Sequence, residues 1–429
     1  MWHNEAVRQV HVKLTDIAYG GEALGRLPDG RVLFVHHGMP GEEVVVEIDQ
    51  EKKDYAHGRV AAILAPSPDR TEPPCPYFLQ GCGGCQWQHV AYHRQLAFKR
   101  QIVVDQLRRI GGFADAARYV REPIGAEEPW HYRNQVRFSV GRRHGDLGFT
   151  QRGTRRLLRI DYCRISQFPI NQALALLQGR GQGLRTHQIT VRCSPRTGDR
   201  LISPAVPGAP IPTGQEFYED EVLGRRFRVA APAFFQVNTR PSWRELPEAI
   251  RAPWLTERFG LYSMADLLAL LVLDRLEPQG DEVVVDAYGG VGTFALLMAD
   301  RVRRVIGIEE SPAAVRDARA NAERAGVTNV TFLQGKTEHV LPALDGPVDA
   351  VVLDPARVGC HPDVVDALLR LGPPRVVYVS CDPTTLARDL RLLCDGGYDL
   401  MEVQPLDMFP QTYHIESVSL LRRGEPRSA

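Results

Sequence analysis

The sequence predicts an α/β protein, with an open, mostly parallel sheet in the C-terminal part, a small N-terminal β-barrel and a mostly-β region between them. Three observations carry this. From about residue 240, apolar strands alternate with helical stretches, as in "DEVVVDAYGG", "RVIGIE", "VDAVVLDP" and "RVVYVSCDP", the pattern of an open parallel sheet. Residues 8 to 65 alternate apolar and polar positions between Gly-rich turns, which suits short strands closing into a barrel. A Pro-rich break, "APSPDRTEPPCP", follows the barrel.

In chain order, "QVHVKLTDIA", "RVLFVHHG", "EEVVVEID" and "AHGRVAAIL" read as barrel strands, with turns at "YGGEALG" and "MPGE". Tyr92, Leu96, Ile102, Val103 and Leu107 fall on one helical face, so residues 88 to 110 predict a helix. "NQVRFSVG", "RRLLRI", "HQITVRCS" and "RFRVA" predict short strands over 131 to 160 and 182 to 235. A helix over 264 to 275 opens the α/β part, and "ESVSLLRR" supplies its last strand. The expected division is 1–66, 67–230 and 231–429.

The 429 residues carry 52 Lys/Arg and 52 Asp/Glu, a net charge of zero. The balance is local: Arg94 to Arg159 holds 15 Lys/Arg against 6 Asp/Glu, a net of +9. Such a segment can engage phosphates by counterion release, or be a solvated face. Trp87, Tyr92 and Phe98 interleave with these charges as candidate stacking rings or core. No run of eighteen apolar residues and no apolar leader occurs, so a cytoplasmic protein without a membrane span is expected. Its eight cysteines are then thiols, ligands or catalysts rather than disulfides.

"VVVDAYGGVGTFAL" is a strand, a Gly-rich turn and a helix start. Gly290, Gly292 and Ala295 fit a dinucleotide fingerprint, but Asp286 before the glycines gives the D-x-x-x-G-x-G spacing of S-adenosylmethionine enzymes. Glu309 ends the next strand, where an acid can accept from ribose hydroxyls. With Asp354, three acids are expected at the carboxyl ends of three strands.

Cys381 ends a fourth such strand, at the junction before "TTLARDL". A nucleophilic thiol needs access and thiolate character, and helix N-terminal amides are expected to favour the thiolate here. Cys193, Cys360 and Cys394 lack this setting and read as structural. A thiol beside a methyl donor suggests methylation of a pyrimidine at C5. Thiolate addition to C6 makes C5 nucleophilic, and a base must then remove the C5 proton. Asp407, His414 and Glu416 are candidates, and the residues alone do not rank Glu416 above His414.

Cys75, Cys82 and Cys85 lie together in "CPYFLQGCGGCQWQH", and Cys163 in "RIDYCRI" is the best fourth ligand. Four thiolates suit zinc or an iron–sulfur cluster, and spacing does not separate them.

The chain resembles the RNA uracil-5-methyltransferases of the bacterial rRNA type over nearly its whole length. The resemblance rests on "RTEPPCPYFLQGCGGC", "YRN" (Tyr132 to Asn134), "FFQVN" (Phe234 to Asn238), "DAYGGVGTF", "SCDP", "RDL" and "DMFPQTYHIE". It implies a TRAM barrel, a central iron–sulfur domain and a Rossmann-like class I methyltransferase domain. It implies S-adenosyl-L-methionine as donor and a 4Fe–4S cluster on Cys75, Cys82, Cys85 and Cys163. Cys381 becomes the nucleophile and Glu416 the proton acceptor. Gln236, Tyr288, Gly290, Gly292, Glu309 and Asp354 become donor-binding residues. The chain departs from the family at "DPAR" for "DPPR", "YGG" for "YCG", Lys336 near the adenine position, and Asp382 where an amide is usual. The implied partner is structured RNA, with 23S rRNA favoured over tRNA, and no protein partner is expected. Competing readings are an RNA cytosine-5-methyltransferase, which "HIE" disfavours, a nicotinamide dehydrogenase, and a non-catalytic RNA-binding iron–sulfur protein.

Overall fold

A computed structural model describes residues 8–251 and 254–424. The N-terminal strands are β1 (Gln9–Lys13), β2 (Asp16–Ile17), β3 (Ala23–Arg26), β4 (Val32–His36), β5 (Glu43–Glu51) and β6 (Tyr55–Ala65). They form one sheet in the order β1-β5-β6-β4-β3-β2. Strand periodicity sets its faces: Leu33, Val35, Val44 and Val46 point into a closed apolar core, while Phe34 and His36 point outward.

The middle of the chain holds α1 (Pro76–Leu79), α2 (Tyr92–Arg109), β7 (Gln135–Val140), β8 (Leu147–Thr150), β9 (Leu157–Arg159), α3 (Phe168–Leu177), β10 (Gln188–Cys193) and β11 (Arg200–Ser203). Its strands make an antiparallel sheet in the order β11-β10-β7-β8-β9. Helix α3 was not expected from the sequence. Its buried residues Ile170, Ala173, Leu174 and Leu177 follow helical spacing. Helix α2 was expected, and it packs on the C-terminal part of the chain. Trp87 and Phe98 are buried in the core there, so neither ring is free to stack on RNA.

Two hairpins follow, β12 (Phe217–Val222) with β13 (Arg225–Ala230), and β14 (Ser242–Glu245) with β15 (Phe259–Tyr262). The α/β alternation therefore begins after residue 262 rather than at 240. Tyr218, Phe227 and Val229 of the first hairpin join the C-terminal core, so packing continues across the expected boundary at residue 230.

The C-terminal part contains α4 (Met264–Leu276), β16 (Val283–Ala287), α5 (Thr293–Met298), β17 (Arg304–Glu309), α6 (Pro312–Arg324), β18 (Val330–Gln334), α7 (Thr337–Val340), β19 (Ala350–Leu353), α8 (Pro362–Leu371), β20 (Arg375–Ser380), α9 (Pro383–Asp395), β21 (Tyr398–Leu406) and β22 (Glu416–Arg423). The seven-stranded sheet runs β18-β17-β16-β19-β20-β22-β21, with β22 antiparallel to both its neighbours. Helices cover both faces, so the strands read as continuous apolar runs. Chain direction across the sheet reverses between β16 and β19, where open α/β sheets place their ligands. No helix among the described residues is long and apolar enough to cross a membrane.

Candidate active site

The carboxyl ends of β16, β17, β19 and β20 open into a cleft of about 1380 Å³. Tyr288 and Gly290 follow β16, Glu309 ends β17, Asp354 follows β19 and Cys381 follows β20, and all five line the cleft, as do Gln236 and Glu416. Gly290 has a φ of 54° and open space where a Cβ would stand, so its backbone leaves room for a ligand. Gly292 lies behind the wall. Its φ is 84°, and a Cβ there would meet the Phe332 ring at 2.9 Å.

Two of the three strand-end acids reach the cleft. Glu309 accepts from the amides of Gly290 at 3.0 Å and Ser311 at 2.7 Å, which fixes its carboxylate beside the glycine turn. Asp354 is pushed up to about 7 by desolvation. Asp286 instead turns inward: it is fully buried, accepts from the Ala295 amide at 2.8 Å, and is pushed up to about 8 by burial. It braces the start of α5 rather than facing a ligand.

The thiol's setting differs from expectation. Asp382 is the N-cap of α9, and its Oδ1 accepts from the Thr384 and Thr385 amides at 2.9 and 3.2 Å. The helix end is thus already satisfied and does not favour a thiolate. Burial, followed by the charges of Glu416 and Asp354, pushes Cys381 up to about 12, with Arg357 opposing. Glu416 is raised well above the carboxylate range by burial and then by Asp354.

His414 also lines the cleft, but burial and Arg357 push it down to about 3. Its Nδ1 lies 3.4 Å from the Arg357 guanidinium, so it is a neutral imidazole and a weak base. Asp407 is outside the cleft wall and accepts from Lys99 Nζ at 2.6 Å, with both side chains buried. Lys99 also donates to the Phe409 carbonyl at 3.1 Å. Gln95 on the same helix exchanges hydrogen bonds with Gln411, each of 3.0 Å. Helix α2 therefore fixes the loop that delivers Glu416. "YRN" and "FFQVN" converge on that loop. The Tyr132 hydroxyl donates to the Pro410 carbonyl at 3.0 Å, Asn238 donates to the Met408 carbonyl at 3.2 Å, and the Asn238 amide donates to Asn134 at 3.2 Å.

Residues 268–424 match the family described as tRNA (Uracil-5-)-methyltransferase, and residues 5–61 match the TRAM domain. An uncharacterised RNA methyltransferase of Thermosynechococcus vestitus is 35% identical over 98% of this chain and 99% of its own length. One from Halalkalibacterium halodurans is 35% identical over 96% of each chain. The chain belongs to the RNA uracil-5-methyltransferase family. The crystal structure of Pyrococcus abyssi tRNA (uracil-54, C5)-methyltransferase in complex with S-adenosyl-L-homocysteine shares the methyltransferase's fold, with a TM-score of 0.69. It is 23% identical and covers 96% of this chain and 100% of its own.

In this methyltransferase Cys75, Cys82, Cys85 and Cys163 line one small cavity. Burial raises the first three thiols, and each is raised further by the charge of Cys163, so a bound cation would relieve mutual repulsion. Amides of Tyr77 and Phe78 reach the Cys75 sulfur, and the Gly84 amide reaches that of Cys82. Among the described residues, only Glu22, His36 and His57 group three ligand atoms within 4.8 Å of one another. Four thiols around one cavity are a donor set that suits either a zinc ion or an iron–sulfur cluster.

Several residues were given no place in the cleft by the sequence reading. Arg133 and Arg137 reach the wall from β7 and its lead-in, Phe234 is an exposed ring, and Gly83 and Gly84 of the cysteine loop border the same space. Cys360, read as structural, also lines the cleft, with its sulfur 3.6 Å from the Tyr378 hydroxyl. The TRAM barrel directly touches the segment that follows Cys381. The Tyr19 hydroxyl donates to Asp382 Oδ2 at 2.9 Å, and the Tyr19 ring packs edge-on against Tyr413.

Proposed function

We propose that the protein methylates C5 of a specific uridine in structured RNA, with S-adenosyl-L-methionine as donor, through a covalent Cys381 adduct. The observation that carries this reading is the presence of Cys381 and Glu416 together on a cleft that also holds Gly290, Glu309 and Asp354. The target base leaves its stack to enter the cleft, where the exposed Phe234 ring is placed to stack on it. Arg133 and Arg137 supply positive charge for flanking phosphates. The Cys381 thiolate adds to C6, and the electron pair passing to C5 attacks the sulfonium methyl, releasing S-adenosylhomocysteine. Glu416 takes the C5 proton, and elimination then breaks the sulfur–C6 bond. In the ligand-free cleft burial favours the protonated forms of both Cys381 and Glu416. The donor's sulfonium charge, with Arg357, opposes that burial and favours their ionised forms.

Gln236, Tyr288, Gly290, Glu309 and Asp354 hold the donor, and Gly292 supports the turn from behind. Cys75, Cys82, Cys85 and Cys163 hold a 4Fe–4S cluster whose iron–thiolate bonds would tie the glycine-bearing loop to the segment after β9. Protein prepared without air should then be brown, absorbing at roughly 400 nm, and Cys163→Ser should lose that colour. Colourless wild-type protein holding one zinc would contradict the cluster.

The favoured substrate is 23S rRNA, on the resemblance to rRNA enzymes that combine a TRAM barrel with a cysteine set. A tRNA substrate is the second reading, because the Pyrococcus abyssi neighbour acts on tRNA uracil-54. Mapping 5-methyluridine in rRNA and tRNA from a deletion strain, complemented with wild type or Cys381→Ala, decides between them. Loss of the mark at one rRNA uridine, restored by wild type alone, is expected. No change in either RNA would overturn the function.

A further inference from the structure

The outer face of the TRAM barrel carries a side-chain cluster that methyl transfer does not use. Ala23 pairs with Val35 in the antiparallel β3–β4 ladder, so the next facing residues are Glu22 and His36. Strand β4 also pairs in parallel with β6, which sets His57 opposite Phe34 on the same face. His57 Nδ1 lies 2.9 Å from Glu22 Oε1, and His36 Nε2 lies 3.5 Å from the same oxygen. All three ligand atoms fall within 4.8 Å of one another. A tetrahedral zinc ion with nitrogen and oxygen ligands near 2.0–2.1 Å needs edges of about 3.3–3.4 Å, close to these separations. The His57 ring is held by stacking on Phe34, with centroids 5.0 Å apart and planes 24° apart. Side-chain exposures of 16% for Glu22, 28% for His36 and 29% for His57 leave one side open to solvent.

We propose that Glu22, His36 and His57 bind one divalent transition-metal ion, with zinc favoured and a solvent oxygen in the fourth position. Two imidazoles and one carboxylate suit borderline ions such as zinc and do not suit calcium or magnesium. His36 and His57 come from the paired strands β4 and β6, and Glu22 directly precedes β3, so little ordering is needed on binding. Arg152 donates to the Cys85 carbonyl at 2.8 Å and is near enough to act on Glu22. Its positive charge makes the site weaker than an isolated triad.

The test is a titration of the full-length protein with Co2+, followed by visible absorption and then displacement by Zn2+. One equivalent of Co2+ with d–d bands and no thiolate charge transfer is expected, because this site offers no sulfur. Glu22→Gln, His36→Gln and His57→Gln should each weaken binding by more than about tenfold. Thermal unfolding in chelator identifies any variant that fails to fold, and the remaining variants then decide. Binding unchanged in the folded variants, or cobalt bound only with thiolate charge transfer, would overturn the proposal.

Discussion

Cys381 and Glu416 flank the last paired residues of the β20–β22 ladder, Ser380 and Ser417, and both line the cleft, close enough for the Glu416 charge to act on the thiol. The parallel strand β20 brings the thiol to the ligand edge of the sheet, and the reversed strand β22 starts at that same edge. This arrangement separates the two bond changes that the reaction needs. In the proposed mechanism one group attacks C6, and the other removes a proton from the adjacent carbon.

Glu416→Gln therefore leaves addition and methyl transfer possible but blocks proton removal. The expected result is a covalent methylated adduct on RNA that survives denaturation, with turnover lowered by about 10²–10⁴-fold. Gel retardation of denatured complexes reads it. Normal turnover in this variant would remove Glu416 from the mechanism.

Donor affinity should depend on pH through Asp354, which desolvation raises to about 7 in the ligand-free cleft. A carboxylate attracts the sulfonium of S-adenosylmethionine, whereas the thioether of S-adenosylhomocysteine has no such charge. Below this value the carboxyl is protonated and the preference is lost. The affinity ratio of donor to product should rise several-fold from roughly one pH unit below to one above. A flat ratio in calorimetric titrations would place the sulfonium away from Asp354.

Tyr19 acts on the nucleophile's loop through Asp382, whose other oxygen caps α9. Hydrogen bonds to charged groups contribute about 1.5–3 kcal/mol. Tyr19→Phe should slow adduct formation by about tenfold while RNA affinity stays unchanged. The reverse pattern, weaker RNA binding with a normal adduct rate, would make Tyr19 a tether only.

The Lys99–Asp407 pair is buried on both sides. Lys99→Met strands a buried carboxyl, and the expected loss is about 3–5 kcal/mol of stability. Adding Asp407→Asn should recover part of it in denaturant unfolding. An unchanged midpoint for the single variant would show that the pair does not hold the loop.

Much of this architecture was legible because period-two and apolar-run patterns report strands directly. The cleft edge followed from where those runs stop, at Glu309, Asp354 and Cys381. Asp382 before Pro383 is an N-cap signature in plain sequence, yet its consequence for the thiol required seeing the capped amides. Asp286 lies level with Gly307, two residues short of Glu309's level, and is fully buried, which spacing alone does not reveal. The Tyr19–Asp382 contact joins residues 363 apart, and no local pattern encodes it. Helix α3 carried its helical spacing openly, within a region whose neighbours read as strands.

The central claim is that Cys381 bonds to C6 of a uridine. Peptide mass spectrometry of the protein trapped on 5-fluorouridine RNA with S-adenosylmethionine tests it most directly, because fluorine at C5 prevents release. The expected result is a donor-dependent nucleotide adduct on the peptide that contains Cys381, absent in Cys381→Ala. An adduct on Cys360, which lines the same cleft, or methylation of normal RNA by Cys381→Ala, would contradict the account.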